Sequence, residues 1–319
     1  MKYYLYPLQK INFRIKWSYD KFFFNRWYKE AYTSLLKNSN RTDDPNEADF
    51  YIVSFTLICL SFVAFNKQDL EHKLTQLPYW NNGIKHVVFD FTDLANTFYR
   101  NKNISIFKSA FSIEHYNSKK DVCIPQFPRY RFSDEIIKKY CFTKNKLVSF
   151  KGHPRKGYNP IRDKLFEMND NKELIIKEFS NNPNDFEFKL GKVMEILPSD
   201  DEYSYLNLLF KSRFSLLPRG NGWTCGYRHI EAMNVGSIPV IISDNYALPF
   251  TELIDWNSCS IRVKENELDK LLEIVKSNLD REDELRKNVK AVYDKYFSST
   301  NKIIDTALKI YFNKYYEYN

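Results

Sequence analysis

FSLLPRGNGWTCGYRHIEAMNVGSIPVIISDNYALPF, running from Phe214 to Phe250, carries the pattern that decides the fold class. Phe214 to Leu217 is a short apolar run of the kind that forms a strand buried on both faces, and Pro218-Arg219-Gly220 ends it. Gly220, Gly222 and Gly226 then supply a loop, Thr224 to Val235 predicts a helix, and Pro239 to Ile242 predicts a second buried strand. Strand, glycine loop, helix and strand in that order make an α/β unit on a parallel sheet.

Such a unit offers an anion a place to bind, because free amides and the positive dipole end of the helix point back at the loop. The spacing G-x-G-x-x-x-G is one residue longer than the dinucleotide fingerprint and is weak by itself. The side chains add to it. On a helix from Thr224, the residues Thr224, Arg228 and Glu231 stand at i, i+4 and i+7 on one face, with Arg219 in the loop before them. Arginines suit a diphosphate, and a carboxylate suits ribose hydroxyls. The competing account is an ordinary i,i+3 ion pair of Arg228 and Glu231 on a solvated surface.

Outward from this stretch, short β-rich runs alternate with amphipathic ones. Tyr3 to Tyr6, Phe50 to Phe55, His86 to Phe89, Asp121 to Ile124 and Leu147 to Phe150 predict strands, and Phe22 to Lys37 predicts a helix. A segment rich in Asn, Asp, Lys and Glu from Asn169 to Asp201 places a domain boundary near residue 195, giving domains 1–195 and 196–319. The terminal helices are expected to return to the first domain. Phe50 to Phe65 is uncharged but too short for the roughly 20 residues of a membrane span, and reads as a buried strand entering a second buried element.

The 319 residues carry a net charge of +8, which favours an anionic partner, but no basic run interleaved with aromatics marks a nucleic-acid surface. Five separated cysteines, Cys59, Cys123, Cys141, Cys225 and Cys259, predict reduced thiols, and the N-terminus has no signal-peptide pattern, so a cytoplasmic location is expected. The five histidines fit no metal-ligand spacing and no D-x-D occurs, so neither metal nor other cofactor is expected.

PRG at Pro218 to Gly220, GYRHIEA, GSIPVIISDNYALPF and IDWN at Ile254 to Asn257 resemble, in order and spacing, the donor-domain signature of the exostosin family, glycosyltransferase family 47. RTDDPNEADFYIVSF at Arg41 to Phe55, LPYWNNGIKHVVFD at Leu77 to Asp90, KDVCIP at Lys120 to Pro125, LVSFKG at Leu147 to Gly152 and YFSS at Tyr296 to Ser299 are similar to further family landmarks. The resemblance implies a GT-B α/β fold, two Rossmann-like domains facing a cleft. It also implies inverting transfer from a UDP-sugar held by the C-terminal domain to an acceptor held by the N-terminal one.

Carried over by position, Arg219 and Arg228 lie near the diphosphate and Glu231 near the ribose, with Gly220, Thr224 and Gly226 shaping the donor loop. Lys151 and Arg155 follow the SFKG strand as a second phosphate clamp from across the cleft, although a solvated loop explains them equally well. Asp90 and Asp93 are the candidates for the base, and either could instead cap a helix or turn.

No counterpart of the animal members' anchor, paired cysteines and second catalytic domain is expected here. The acceptor is therefore expected to be a surface polysaccharide or lipid-linked saccharide, reached by peripheral contact at the inner face of a membrane. Two other readings stay open. A nucleotide-dependent oxidoreductase would use Asp244 after the second strand, and a glycan-binding module without catalysis would use Trp80 and Trp223.

Overall fold

The computed structural model describes residues 1–7, 20–54, 67–91, 101–140, 143–154, 159–179, 202–220 and 224–318. The chain forms two compact units, each built on its own parallel sheet. Unit 1 comprises Met1–Gln126, Asn245–Leu253 and Ser299–Asn319, and unit 2 comprises Phe127–Asp244 and Ile254–Ser298.

In unit 1, β1 (Tyr3–Leu5), β2 (Arg41–Thr42), β3 (Phe50–Ile52), β4 (His86–Asp90), β5 (Ser105–Lys108) and β6 (Val122–Cys123) pair in the order β2-β1-β3-β4-β5-β6. Two helices, α1 (Asp20–Lys37) and α2 (Lys67–Thr75), precede β2 and β4 respectively. The central strands β4 and β5 are buried along their whole length, as parallel strands covered on two sides must be, although they carry the polar His86, Asp90, Ser105 and Lys108. Val88, Ile106, Phe111 and Leu74 meet in one buried cluster.

Unit 2 contains α3 (Asp134–Tyr140), β7 (Lys146–Gly152), α4 (Pro160–Glu167), β8 (Leu174–Glu178), α5 (Tyr205–Lys211), β9 (Ser212–Pro218), α6 (Arg228–Asn234), β10 (Ile238–Ile242), β11 (Ile261–Arg262), α7 (Leu271–Lys276) and α8 (Glu282–Val292). Its strands run in the order β11-β10-β9-β7-β8. Counted within the unit this is 2-1-3-4-5, the doubly wound order whose direction of build reverses between its first and third strands, here β7 and β9.

The units do not divide at residue 195. Val148 of β7 stands in register with Leu174 on one side and Phe214 on the other, so β7 and β8 belong to the second sheet. The polar composition around residues 169–201 suggested a linker, yet Leu174, Ile175 and Ile176 inside it are buried and form that sheet's edge strand. The last helix, α9 (Thr300–Tyr318), lies in unit 1, where its Tyr311 packs against Phe50 and Phe107. Of the apolar stretch Phe50 to Phe65, β3 is seen and residues 55–65 lie outside the described residues. Among the described residues no helix is long and apolar enough to cross a membrane.

Candidate functional site

In doubly wound sheets ligands sit outside the carboxyl ends of the strands, at the point where the strand order reverses. In unit 2 that point is set by Gly152 at the end of β7 and Pro218 at the end of β9. The side chains gathered there come from β7, the loop after β9, α4, α5 and the start of α6.

Arg228 opens α6 with its guanidinium walled by aromatic rings: Cζ lies 4.9 Å from the Phe150 ring centre, 5.8 Å from Tyr205 and 6.0 Å from Phe179. Such contacts orient a cation and leave its planar fork of donors available. Among the described residues no hydrogen bond or ion pair engages that fork. Gly152 makes room for it, because a Cβ there would fall 3.3 Å from Arg228 Nη1 and 2.4 Å from the Phe150 ring. A cavity of about 20 Å³ lies at Ser149, Lys151, Tyr205, Ser215 and Arg228, enough for one water.

Lys151 belongs to this sheet rather than to the other unit. It is 6% exposed, and its ammonium donates to the carbonyl of Tyr203 at 2.9 Å. The clamp from the opposite side is therefore not what the fold builds with it. Arg155 lies outside the described residues, as does Asp93.

Arg219 leaves the end of β9 and its Nε donates to Glu265 at 2.7 Å. Its carbonyl accepts from Asn159 Nδ2 at 2.8 Å and from Arg162 Nε at 3.2 Å, while the Gly220 N–H donates to the Thr224 carbonyl at 2.9 Å. The glycine loop is thus tied at both ends. Asn159, fully buried, also caps α4 by accepting from the Arg162 amide, so the first turn after β7 and the loop after β9 are fastened by one side chain. Arg162, whose Cζ lies 5.6 Å from the Phe150 ring, adds a cation that sequence reading missed. Its only signal was the Asn-Pro helix start that follows β7.

The helix begins at Arg228 and not at Thr224. Gly226 takes φ +68, a left-handed conformation that interrupts a helix, and Thr224 turns its hydroxyl to accept from the Gly226 amide at 2.9 Å. Thr224 therefore leaves the face it was expected to share with Arg228 and Glu231.

Glu231 is fully buried. Its Oε1 accepts from the amides of Arg129 at 2.8 Å and Tyr130 at 3.1 Å, and its Oε2 accepts from the Tyr205 hydroxyl at 2.5 Å. Both oxygens are thus engaged by the protein, and the side chain is closed to solvent, so a ribose contact would require this packing to open. Burial raises the pKa of Glu231 and pushes that of Tyr205 well up. One turn on, Asn234 accepts from the Phe132 amide at 2.7 Å and donates back to its carbonyl. One face of α6 therefore straps down residues 129–132, and the Arg129 guanidinium lies 4.5 Å over the Tyr227 ring. No Arg228–Glu231 ion pair forms among the described residues.

Asp90, in unit 1, ends β4 with its carboxylate 2.9 Å from the Lys108 ammonium on β5, both side chains buried. Its carboxylate is held in that ion pair. Asp244 closes a turn with Glu265, accepting from that residue's amide at 3.1 Å. Among the described residues no three His, Cys, Asp or Glu side chains are grouped to hold a metal ion.

The fold is that of a doubly wound α/β protein with a group of arginine and aromatic side chains at the carboxyl ends of the unit 2 strands, at the switch point. The chain belongs to the exostosin glycosyltransferase family, since the Exostosin GT47 domain matches residues 1–278. It is 28% identical to Exostosin-1 of Drosophila melanogaster over 305 residues, covering 89% of this chain and 40% of that protein. It is 27% identical to the Exostosin-1 homolog of Caenorhabditis elegans over 338 residues, covering 98% of this chain and 85% of the relative. The chain thus spans less than half of the fly protein and most of the nematode one. A solved glycosyltransferase from Rickettsia africae aligns with 96% of this chain and 84% of its own at 14% identity and a TM-score of 0.42.

Proposed function

We propose that this chain moves a sugar from a UDP-sugar to a hydroxyl of a glycan or lipid-linked saccharide, with inversion and without a metal ion. The observation that carries the proposal is the Arg228 guanidinium, oriented by three rings at the switch point and without an ion-pair partner among the described residues. A nucleoside diphosphate leaving group gains negative charge as the bond from the sugar's anomeric carbon to its β-phosphate oxygen breaks. A positioned guanidinium stabilises that charge with paired, charge-assisted hydrogen bonds. Arg162 adds positive charge around the same loop, where Arg219 is held in an ion pair with Glu265.

The acceptor oxygen forms the new bond from the opposite side of the anomeric carbon and gives its proton to a base. Asp90 is committed to Lys108, which leaves Asp93 as the base to test first. Net charge of +8 favours contact with an anionic membrane surface, and the buried free thiols of Cys123, Cys225 and Cys259 fit a cytoplasmic setting.

The test is thermal stabilisation by UDP, GDP, CDP and NAD, followed by sugar transfer in excess EDTA. UDP at about 100 times its Kd adds roughly 2.7 kcal/mol of stability. Stabilisation by NAD and by no nucleoside diphosphate would overturn the donor assignment. Loss of transfer in EDTA, restored by Mn²⁺, would overturn the metal-free mechanism.

A further inference from the structure

Unit 1 contains a cavity of about 540 Å³ between the end of α1 and the outer face of α9, within the roughly 300–1,000 Å³ range of small-molecule sites. The Tyr3 N–H donates to the carbonyl of Asn40, a lining residue, and Arg41 next to it begins β2. The cavity therefore lies at the amino ends of the strands, opposite the carboxyl ends where an α/β sheet keeps its reacting ligand.

Its walls are made for hydrogen bonding. Asn40, Asn301 and Asn313 make no side-chain hydrogen bond among the described residues, so each presents an amide donor and an acceptor. Ser34 is 6% exposed, lines the cavity, and likewise has no hydrogen bond among the described residues. The Ser34 hydroxyl is open to solvent there, so it can donate to or accept from a ligand. Asp305 accepts only from Asn38, at 2.7 Å, and no cation pairs with it among the described residues. Phe312 is half-buried, with one side against Phe50, and Leu308 forms an apolar floor.

The charges narrow the ligand. A phosphate or carboxylate would meet Asp305 and the carbonyl end of α1, where the helix dipole is negative. A cation would meet Lys37 and Lys309, which flank the cavity. A neutral polyol meets neither penalty: neighbouring hydroxyls can donate to Asp305, the amides can serve the rest, and the C–H face of a pyranose can lie on Phe312.

We infer that this cavity is a second saccharide-binding site, which holds a neutral stretch of a glycan away from the reacting hydroxyl. Tethering the glycan in this way raises the effective concentration of its end at the acceptor position. The assignment rests on the glycan acceptor proposed above and not on the donor, and its test does not require transfer.

The test is isothermal titration, supported by saturation-transfer NMR, of the whole chain with the hexasaccharides of β-linked glucose and β-linked N-acetylglucosamine. At least one is expected to bind, and Asp305→Ala is expected to weaken it by about tenfold or more through loss of charge-assisted contacts. Asn313→Ala should weaken it too, while UDP affinity stays the same in both variants. Asp305 and Asn313 are exposed, so both variants should fold, and urea melts check this. Failure of both hexasaccharides to bind would overturn the inference, as would unchanged affinity in both variants. Displacement of the sugar by inorganic phosphate would assign the cavity to an anion instead.

Discussion

Replacement of Glu231 by alanine tests the central structural finding in unit 2. The side chain is fully buried and accepts from three donors, the Arg129 and Tyr130 amides and the Tyr205 hydroxyl. Alanine leaves all three without an acceptor, and each buried donor so orphaned costs about 1–3 kcal/mol. Water entering the vacated space recovers part of this, so the expected loss is roughly 3–6 kcal/mol, out of the 5–15 kcal/mol typical of a whole domain. Glu231→Gln keeps one oxygen for the two amides and lets the Tyr205 hydroxyl rotate to accept from the new amide, so it should cost about 1 kcal/mol.

The pair also predicts a pH signature. Burial raises the folded-state pKa of Glu231 above the ordinary 4.5. Just above that value the folded chain keeps a proton that the unfolded chain has lost, so stability falls as pH rises through the window. The Gln variant should lack this component. Urea melts followed by far-UV circular dichroism at several pH values measure both effects. A Glu231→Ala variant within about 1 kcal/mol of wild type would refute the strap, and would return the carboxylate to a role toward the ligand.

Further outcomes follow from the same geometry. Arg228→Ala should weaken UDP by about 10- to 150-fold, the cost of roughly 1.5–3 kcal/mol in charge-assisted contacts, and spare uridine; equal UDP affinity in a calorimeter would exclude the guanidinium from the site. Gly152→Ala should destabilise by about 1–3 kcal/mol and weaken UDP, because the added methyl meets the buried Phe150 ring that supports Arg228; a neutral effect in both assays would show that the ring has room to move. His86 and His229 are held neutral by burial with pKa values lowered from 6.5 to about 4. The unfolded chain therefore binds protons that the folded chain refuses, and stability should drop as pH falls from about 6.5 to about 4, by on the order of 3 kcal/mol for each histidine. Urea midpoints that stay flat across that range would refute the buried neutral state.

Much of the fold was legible because parallel strands buried on both faces leave unbroken apolar runs. Phe214 to Leu217 and Pro239 to Ile242 appear within Ser212–Pro218 and Ile238–Ile242, paired to each other in the second sheet. The strands that escaped were polar or short: Ser105–Lys108 contains the buried Lys108, Leu174–Glu178 sits in an Asn- and Lys-rich segment, and Arg41–Thr42 has two residues. A buried lysine reads as exposed until its carboxylate partner, 18 positions away, is known.

The residues around the site divide in the same way. Local order alone determined that a glycine loop with Arg219 and Arg228 follows a buried strand, because backbone breaks and helix starts are written in neighbouring residues. Only the tertiary structure decided what those residues face. Glu231 meets amides 101 and 102 positions away, Asn159 reaches Arg219 across 60, and Phe150 comes to Arg228 through the pairing of β7 with β9. The start of α6 was also settled there: Gly226 is free to take a positive φ, and the hydrogen bonds that hold the loop closed, from Gly220 to Thr224 and from Asn159 to Arg219, select that conformation over four more residues of helix. Partner choice over such distances depends on which strands pair and in what register, and hydrophobic periodicity along the chain carries no information about that.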